Sequence, residues 1–192
     1  MIKRCQKVIE TERLLLQPCT TNYSDVFFQL ISKNRTTLMD SFPALLTATE
    51  TPAATMDFIQ QKIFDANNNK ALAYFFFLKE NTQLIGYLHI KDIDWKIKKA
   101  ELAYFIDAAF CRQGITTEAV QQLLLVCFEM LHLDHVQARV DISNTASIRL
   151  LEKIGFKYEG SFFTDDKLQP QQSVETNRYG MSMEEYLRNR DS

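Results

Sequence analysis

The chain has 192 residues, 46% of them hydrophobic and 24% charged, and a formal net charge of −2, which together match one globular domain. This charge gives no electrostatic reason to expect nucleic acid or an anionic membrane as a partner. No apolar run approaches the roughly 20 residues that span a bilayer, and the mixed-charge start MIKRCQKVIETER does not resemble a signal peptide.

The first part of the chain reads as one strand followed by helices. Alternating and continuous apolar residues predict a strand over residues 8–17. Apolar residues at spacings of three and four predict helices over residues 23–33 and 53–66, with a short helical piece at 36–39. Residues 41–51 carry no such pattern, and we expect a loop there.

The second part alternates strands with helices. The expected elements are a hairpin over 72–78 and 84–93, strands over 101–106 and 136–142, helices over 116–131 and 144–154, strands over 156–163 and 175–183, a polar loop at 165–173 and a helical tail. Helices interleaved with strands predict a mixed α/β (α+β) fold. We expect a single domain over residues 1–192, with its core at about 7–184.

One glycine lies where a predicted strand meets a predicted helix. Gly114 follows the strand at 101–106 and precedes the helix at 116–131. Such a turn leaves backbone N–H groups unpaired at the helix N-terminus, where the helix dipole also favours negative charge. The sequence therefore predicts an anion site, and we interpret it as the place of a cofactor that carries a pyrophosphate.

Three stretches carry a resemblance to a known family. They are TERLLLQP at 11–18, AELAYFIDAAFCRQGITTEAV at 100–120 and NTASIRLLEKIGFKYEG at 144–160. In these stretches the chain resembles the GNAT N-acetyltransferases and, within them, the RimJ/RimL-like branch that acetylates protein N-termini. The family's loop reads Arg/Gln-x-x-Gly-x-Gly/Ala; this chain keeps Gly114 and has Cys111 and Thr116 at the first and last positions.

The resemblance implies a GNAT-like fold and a cofactor, acetyl-CoA. The implied sheet is mixed but mostly antiparallel, with about seven strands and about four helices, and it splays apart between the strands at 101–106 and 136–142. The pantetheine arm would pair with the backbone exposed there. The implied acetyl-CoA-binding residues are Phe105, Ile106, Arg112, Gln113, Gly114, Ile115, Thr116, Thr117, Asn144 and Ser147.

The resemblance also implies catalytic roles. Asn144 would lie near the pantetheine arm, and Ser147 would protonate the departing thiolate. The acceptor amine must be neutral; an α-amine is about one-tenth neutral at pH 7, far more than a lysine. A weak base is therefore sufficient, and the candidates are Glu101 and, in the loop after Gly160, Asp166 or Asp165.

Each candidate also has an ordinary structural explanation. Asn144 is a suitable helix cap and Ser147 a common residue of a helix first turn. Glu101 can be a solvated charge at a strand end, and the two loop aspartates can be simple loop residues. For His89, in the middle of a strand, a structural or surface role is favoured over contact with a substrate.

Three further candidates are weaker. A lowered thiol pKa for Cys111, at a helix N-terminus, would allow a covalent acetyl-cysteine route, but no His lies nearby in the sequence and the resemblance implies direct attack by the amine. His132 and His135 lack the further ligands that zinc needs, so no metal site is expected. Candidates for the acceptor groove, which core packing explains equally well, are Met39, Phe42 and Met56.

The favoured function is acetyl-CoA-dependent transfer to a primary amine, most simply a protein or peptide N-terminal α-amine. One alternative keeps the reaction and changes the acceptor to a small-molecule amine. Another is a non-catalytic acyl-CoA-binding regulatory module. The four scattered cysteines, without a Cys-x-x-Cys pair, indicate reduced thiols and a cytoplasmic location. A monomer and a homodimer are both compatible with the sequence.

Overall fold

A computed structural model describes residues 2, 5–165 and 173–190 of the chain. The strands within these ranges are β1 (Ile9–Glu10), β2 (Leu14–Pro18), β3 (Leu72–Leu78), β4 (Leu84–Asp94), β5 (Lys99–Ile106), β6 (His135–Asp141), β7 (Lys157–Asp165) and β8 (Ser173–Ser182). They join in one sheet of order β1-β2-β3-β4-β5-β6-β8-β7. All pairs are antiparallel except β5 with β6, which confirms the predicted mixed α/β fold.

Helices cover the sheet and connect its strands. They are α1 (Ser24–Lys33), α2 (Arg35–Leu38), α3 (Pro43–Ala48), α4 (Pro52–Asn67), α5 (Ile115–Leu125), α6 (Thr145–Lys153) and α7 (Met183–Arg190). After Leu125 the α5 axis continues as one π-helical stretch, Val126–Met130. Among the described residues, no helix combines the length and the apolar character needed to cross a membrane.

Two predictions about the first part of the chain are wrong in detail. The expected loop at 41–51 contains α3, which Pro43 begins in the first-turn position that proline favours. Leu45 and Leu46 anchor this short helix in the core. The strand expected over 8–17 is a small hairpin, in which β1 pairs back onto β2.

The sheet divides the hydrophobic core into two halves, and strand β3 contributes side chains to both. Its sequence LAYFFFL is buried almost throughout, because successive side chains point to opposite faces of a covered sheet. Tyr74 and Phe76 pack on the side of α5, whereas Phe75 and Phe77 pack on the side of α1 and α4. The cavity described below opens on the α1 side.

The sheet opens between its two parallel strands. Strands β5 and β6 pair only from Lys99 to Leu102 and from His135 to Ala138. Beyond these residues β5 stays paired with β4 as far as Ile106, and β6 stays paired with β8 as far as Asp141. The splay that the family resemblance implies is therefore present, and it leaves backbone groups of both strands without a strand partner.

Candidate active site

The register of β4 and β5 determines which backbone groups face the opening. Asp107 donates its N–H to Ile85 O at 2.7 Å, and hydrogen-bonded pairs alternate along an antiparallel ladder. Phe105 therefore directs its N–H and C=O to β4, whereas Tyr104 and Ile106 direct theirs toward β6. The structure brings Ile106 to the opening but not Phe105.

The side chain of Phe105 also lies away from the opening. It is buried against Phe42 and Phe27, with ring centroids 5.8 and 6.2 Å apart. Phe105 therefore belongs to the core beneath α1. Core packing, rather than contact with a cofactor, therefore explains an aromatic side chain at this position.

The loop before α5 presents free amides at a helix N-terminus. Gly114 is the N-cap of α5 with a φ of 74° and provides no side-chain cap. The first backbone hydrogen bond within the helix runs from Glu118 N–H to Gly114 O, at 3.1 Å. The three N–H groups before it have no acceptor within the helix; they belong to Ile115, Thr116 and Thr117. This turn has the free amides on which the predicted anion site depends.

An ion pair fastens this loop to the start of the chain. Arg13 Nε lies 2.7 Å from Glu118 Oε2, and Arg13 Nη1 donates to Gln113 O at 2.9 Å. Glu118 Oε1 accepts from the Thr11 hydroxyl and from Arg13 N–H. Burial acts to raise the pKa of Glu118, but the hydrogen bonds from Thr11 and Arg13 outweigh burial and lower that pKa.

Cys111 does not have the lowered thiol pKa that the covalent route would need. Burial raises the pKa of the Cys111 thiol, Asp107 raises it further, and Arg112 opposes them only in part. Because Asp107 is itself buried and paired with Lys33 Nζ at 2.7 Å, its charge is fixed near the loop. The thiolate that a covalent route needs is therefore disfavoured.

A cavity of about 430 Å³ reaches the opening from the α1 side. The α2–α3 connection and α3 form one wall, α4 forms a second, and β4, β5, β6 and α6 form the floor. Its polar and charged lining residues are Asp40, Ser41, Lys62, His89, Lys91, Glu101, Tyr104, Arg139, Asp141, Asn144, Ser147 and Thr176. Of the groove candidates, Phe42 lines this cavity; Met39 and Met56 are not among its lining residues.

Asn144, Ser147 and Tyr104 meet where the cavity joins the opening. Asn144 is the N-cap of α6, and its Oδ1 accepts from Ser147 N–H at 3.1 Å. Burial raises the pKa of Tyr104 to about 12, against a smaller lowering by its contact with Ser147. The Tyr104 hydroxyl is buried, and no atom of the described residues completes a well-aligned hydrogen bond with it.

Glu101 lies in the floor of the cavity and is strongly paired. It is 4% exposed, and its two oxygens lie 2.6 Å from Lys91 Nζ and 2.8 Å from Arg139 Nε. Gln137 Nε2 donates to it as well, at 3.3 Å. Glu101 is thus the shared counter-ion of two cations rather than the solvated strand-end charge that was the alternative.

The other predicted residues are placed less centrally or not described. Arg112 and Gln113 are exposed on the loop beside the α5 N-terminus. Asp165 ends β7, opposite Ser173, and Asp166 lies outside the described residues. Within the described part of the chain, no group of three or more His, Cys, Asp or Glu side chains could hold a metal ion.

Several lining residues carry no sequence signal of their own. Tyr104 sits inside an ordinary apolar strand, and Arg139 inside another. Lys62 lies on a helix without a motif, and His89, for which a structural or surface role was favoured, is buried and lines the cavity. Because side chains alternate between the two faces of a strand, the sequence could have shown that His89 and Lys91 lie on the same face of β4.

This combination defines a class of protein. A sheet that opens between parallel central strands, beside a helix N-terminus with free amides and above a cavity that reaches the opening, is the frame of an acetyltransferase. The family model of the acetyltransferase (GNAT) domain matches residues 13–157, and the chain belongs to this family. It is an N-acetyltransferase of the GNAT family, as the sequence motifs predict.

Individual relatives agree with this assignment. The uncharacterized N-acetyltransferase p20 of Bacillus licheniformis is 29% identical over 154 residues, 80% of this chain and 84% of the relative. The ribosomal-protein-serine acetyltransferase of Escherichia coli (strain K12) is 26% identical over 152 residues, 78% of this chain and 82% of the relative.

A solved structure shares the fold. RimL, a ribosomal L7/L12 alpha-N-protein acetyltransferase in complex with coenzyme A, aligns with a TM-score of 0.82 at 21% identity, covering 92% of this chain and 98% of the RimL chain. Together with the Escherichia coli relative, this likeness confirms the predicted resemblance to the RimJ/RimL-like branch.

Proposed function

We propose that the chain transfers an acetyl group from acetyl-CoA to a primary amine, with a protein or peptide N-terminal α-amine as the acceptor. The observation that carries this proposal is the opening between β5 and β6, which joins the free amides of α5 to the cavity on the α1 side. The relationship to a ribosomal-protein-serine acetyltransferase supports an α-amine acceptor.

The residues present fit acetyl-CoA at two places. The amides of Ile115, Thr116 and Thr117 suit its pyrophosphate, because helix N-termini bind phosphate groups. The backbone groups of Tyr104 and Ile106 that face the opening suit an extended amide chain such as pantetheine, which would pair with β5 like an added strand. Acetyl-CoA, when bound, supplies the acetyl thioester.

The hydroxyl groups of Ser147 and Tyr104 support a proposed proton supply at the opening. Tyr104 is protonated at neutral pH because burial raises its pKa to about 12. Its hydroxyl lies next to Ser147, whose N–H is fixed by Asn144. Ser147 donates a proton to the leaving thiolate and takes one back from the ammonium that forms on the acceptor, and the neighbouring Tyr104 hydroxyl is a second proton donor.

A base for the acceptor amine remains a prediction from the sequence. Both oxygens of Glu101 are paired, one with Lys91 and one with Arg139. Asp166 lies outside the described residues. An α-amine needs only a weak base, so a water chain that ends at Glu101 is sufficient.

A small-molecule amine is the second candidate acceptor. The observation that favours it is the limited cavity volume, about 430 Å³, which is in the range of small-ligand sites. The non-catalytic alternative rests on Cys111 and Thr116, which differ from the family's loop pattern. The cytoplasmic location and the oligomeric state, monomer or homodimer, stay predictions.

Two measurements test the proposal in sequence. Calorimetry with acetyl-CoA should give saturable binding, and an assay of released thiol should then show transfer to N-terminal peptides but not to the same peptides with a blocked α-amine. Turnover only with small amines selects the second candidate. Binding of acetyl-CoA without any turnover favours the regulatory module. Absence of acetyl-CoA binding contradicts both proposed acetyltransferase functions.

A further inference from the structure

The cavity has a basic end that the acetyl transfer does not use. Lys62, His89 and Lys91 line this end, and the same three residues also line a neighbouring open cavity bounded by Trp95. They come from α4 and β4, which the fold packs side by side. A molecule that extends from the first cavity toward the neighbouring one would therefore contact these three side chains.

Lys62 is partly buried without a matching anion. Among the described residues it makes no ion pair, and its ammonium lies 4.9 Å from the centre of the Phe58 ring. Burial lowers the pKa of Lys62, while Asp65 acts to raise it. Burying an ammonium without a counter-ion costs free energy, and a bound anion would recover part of that cost.

Lys91 is also incompletely neutralised. Glu101 is shared between Lys91 and Arg139, so one carboxylate faces two cations. Asp92 lies 3.4 Å from Lys91 Nζ, but its side chain is 67% exposed, and solvent screens such a pair. Asp65 lines only the neighbouring cavity, and its carboxylate accepts a hydrogen bond from Gln61.

His89 adds a neutral polar group between the two lysines. Burial and the two lysine charges lower the pKa of His89 to about 3, so its ring is uncharged at neutral pH. Its Nε2 is buried and has no hydrogen-bond partner among the described residues. A neutral imidazole can donate one hydrogen bond to an anion.

The opposite end of the cavity has the opposite charge. Asp40 and Asp141 line it beside Asn144, and Ser41, next to Asp40, receives a hydrogen bond from Asn144 at 3.4 Å. Asp141 lies three residues beyond the last paired residue of β6, Ala138, which corresponds to about 10 Å along the strand. The acidic end therefore adjoins the opening, where an amine would react, and the basic end lies toward the neighbouring open cavity.

We propose that Lys62 and Lys91, with His89 between them, form an anion-binding subsite that selects acceptors carrying a carboxylate close to the reacting amine. The proposal rests on the proposed function and names its substrate class. For a peptide acceptor, the carboxylate is the side chain of an aspartate or glutamate that directly follows the N-terminal residue. The amine then lies toward Asp40 and Asp141, and the carboxylate lies toward the lysines.

The test compares two peptides that differ by one charge. Both begin with serine; one has aspartate in second place and the other asparagine. We expect wild-type kcat/KM about tenfold higher for the aspartate peptide. Lys62→Gln should abolish this preference, by lowering kcat/KM for the aspartate peptide to that for the asparagine peptide. Lys91→Gln provides the second variant, and Lys96→Gln, on the exposed turn after β4, is the matched control.

Binding measurements separate this inference from the proposed function. Calorimetry of the same two peptides, with coenzyme A present, does not depend on turnover. Tighter binding of the aspartate peptide that Lys62→Gln removes supports the subsite even if no acetyl transfer occurs, and the proposed function then fails alone. Transfer to both peptides at equal rates and with equal affinity overturns the subsite while the proposed function stands.

Two further outcomes complete the test. Free aspartic acid that is acetylated as well as the peptide supports the subsite and assigns it to a small-molecule acceptor. An equal loss for both peptides in Lys62→Gln, with thermal unfolding unchanged, contradicts the subsite, because the lysine would then act without regard to the acceptor's charge.

Discussion

At the scale of single residues, two positions of the candidate site are specified by local backbone geometry. Gly114 has a positive φ that a residue with a Cβ adopts at a cost. Asn144 caps α6 through its side chain, which is the ordinary use of asparagine at that position. These two roles are readable from sequence. The pairing of Ser147 with Tyr104 is not, because the two residues come from different elements.

Gly114→Ala should weaken coenzyme binding through the backbone alone. A Cβ at Gly114 meets nothing closer than Arg13 Nη2 at 3.6 Å, so space is available and only the φ of 74° is strained. We expect a loss of about 1 kcal/mol in the free energy of unfolding and a several-fold weaker affinity for coenzyme A by calorimetry. Gly160→Ala, at φ 131° on β7, should lower stability and leave that affinity unchanged.

Ser147→Ala should lower kcat by about 100-fold with little change in coenzyme affinity, because a proton donor acts mainly in the transition state. Tyr104→Phe should lower kcat by about tenfold without lowering the melting temperature, since the hydroxyl it removes is buried and poorly paired. The fold decrease in kcat of the double variant should be smaller than the product of the two single decreases, which would show that the two hydroxyls act on the same proton. Thr145→Ala, exposed on the same helix turn, is the control.

At the scale of elements, α5 does most to position the proposed cofactor site. Its predicted existence is confirmed, and its first turn is fixed by partners far away in the chain, Thr11 and Arg13. The loop predicted at 41–51 was wrong, because the helix found there, α3, has only six residues and too few turns to show a periodic pattern. Its formation depends on burying Leu45 and Leu46 against neighbours that only the fold supplies.

Glu118→Gln should reduce stability in a pH-dependent manner. The folded-state pKa of Glu118 is lowered, so its stabilising contribution is present above its unfolded pKa and is lost as pH falls through the folded pKa. We expect urea unfolding at pH 7 to show a loss of about 1–2 kcal/mol.

The difference between Glu118→Gln and the wild type should shrink as pH falls below about 4.5. Glu80→Gln, which changes an exposed turn residue, should show neither the loss nor the pH dependence. A loss of equal size at every pH would contradict the proposed role of the Glu118 charge.

At the scale of the whole molecule, an aromatic cluster supports the wall of the acceptor cavity. Phe27 is fully buried, and its ring centroid lies 4.7 Å from that of Phe75 and 5.4 Å from that of Tyr87. Tyr87 lines the cavity itself. The core that fixes α1 onto the sheet is thus the same core that shapes the site.

Phe27→Ala should therefore reduce both stability and acceptor binding. Deleting a fully buried ring costs about 3–5 kcal/mol, which thermal or denaturant unfolding will detect. We also expect KM for the acceptor to rise more than KM for acetyl-CoA, because the cavity lies on the α1 side and the α5 amides do not. Phe163→Ala, whose ring is 72% exposed on the edge strand β7, should change stability by less than about 0.5 kcal/mol.

The sequence by itself determined the features that neighbouring residues specify. Strand and helix periods, the glycine turn before α5 and the asparagine cap of α6 are local, so the fold class, the turn with its free amides and the family motifs were all predictable. The residues that shape the acceptor cavity were not. Lys62, His89 and Tyr104 carry no local pattern, and they face one cavity only because β4, β5 and α4 pack together. The tertiary structure alone decided the charge at each end of that cavity, since charge complementarity depends on distances that chain order does not fix.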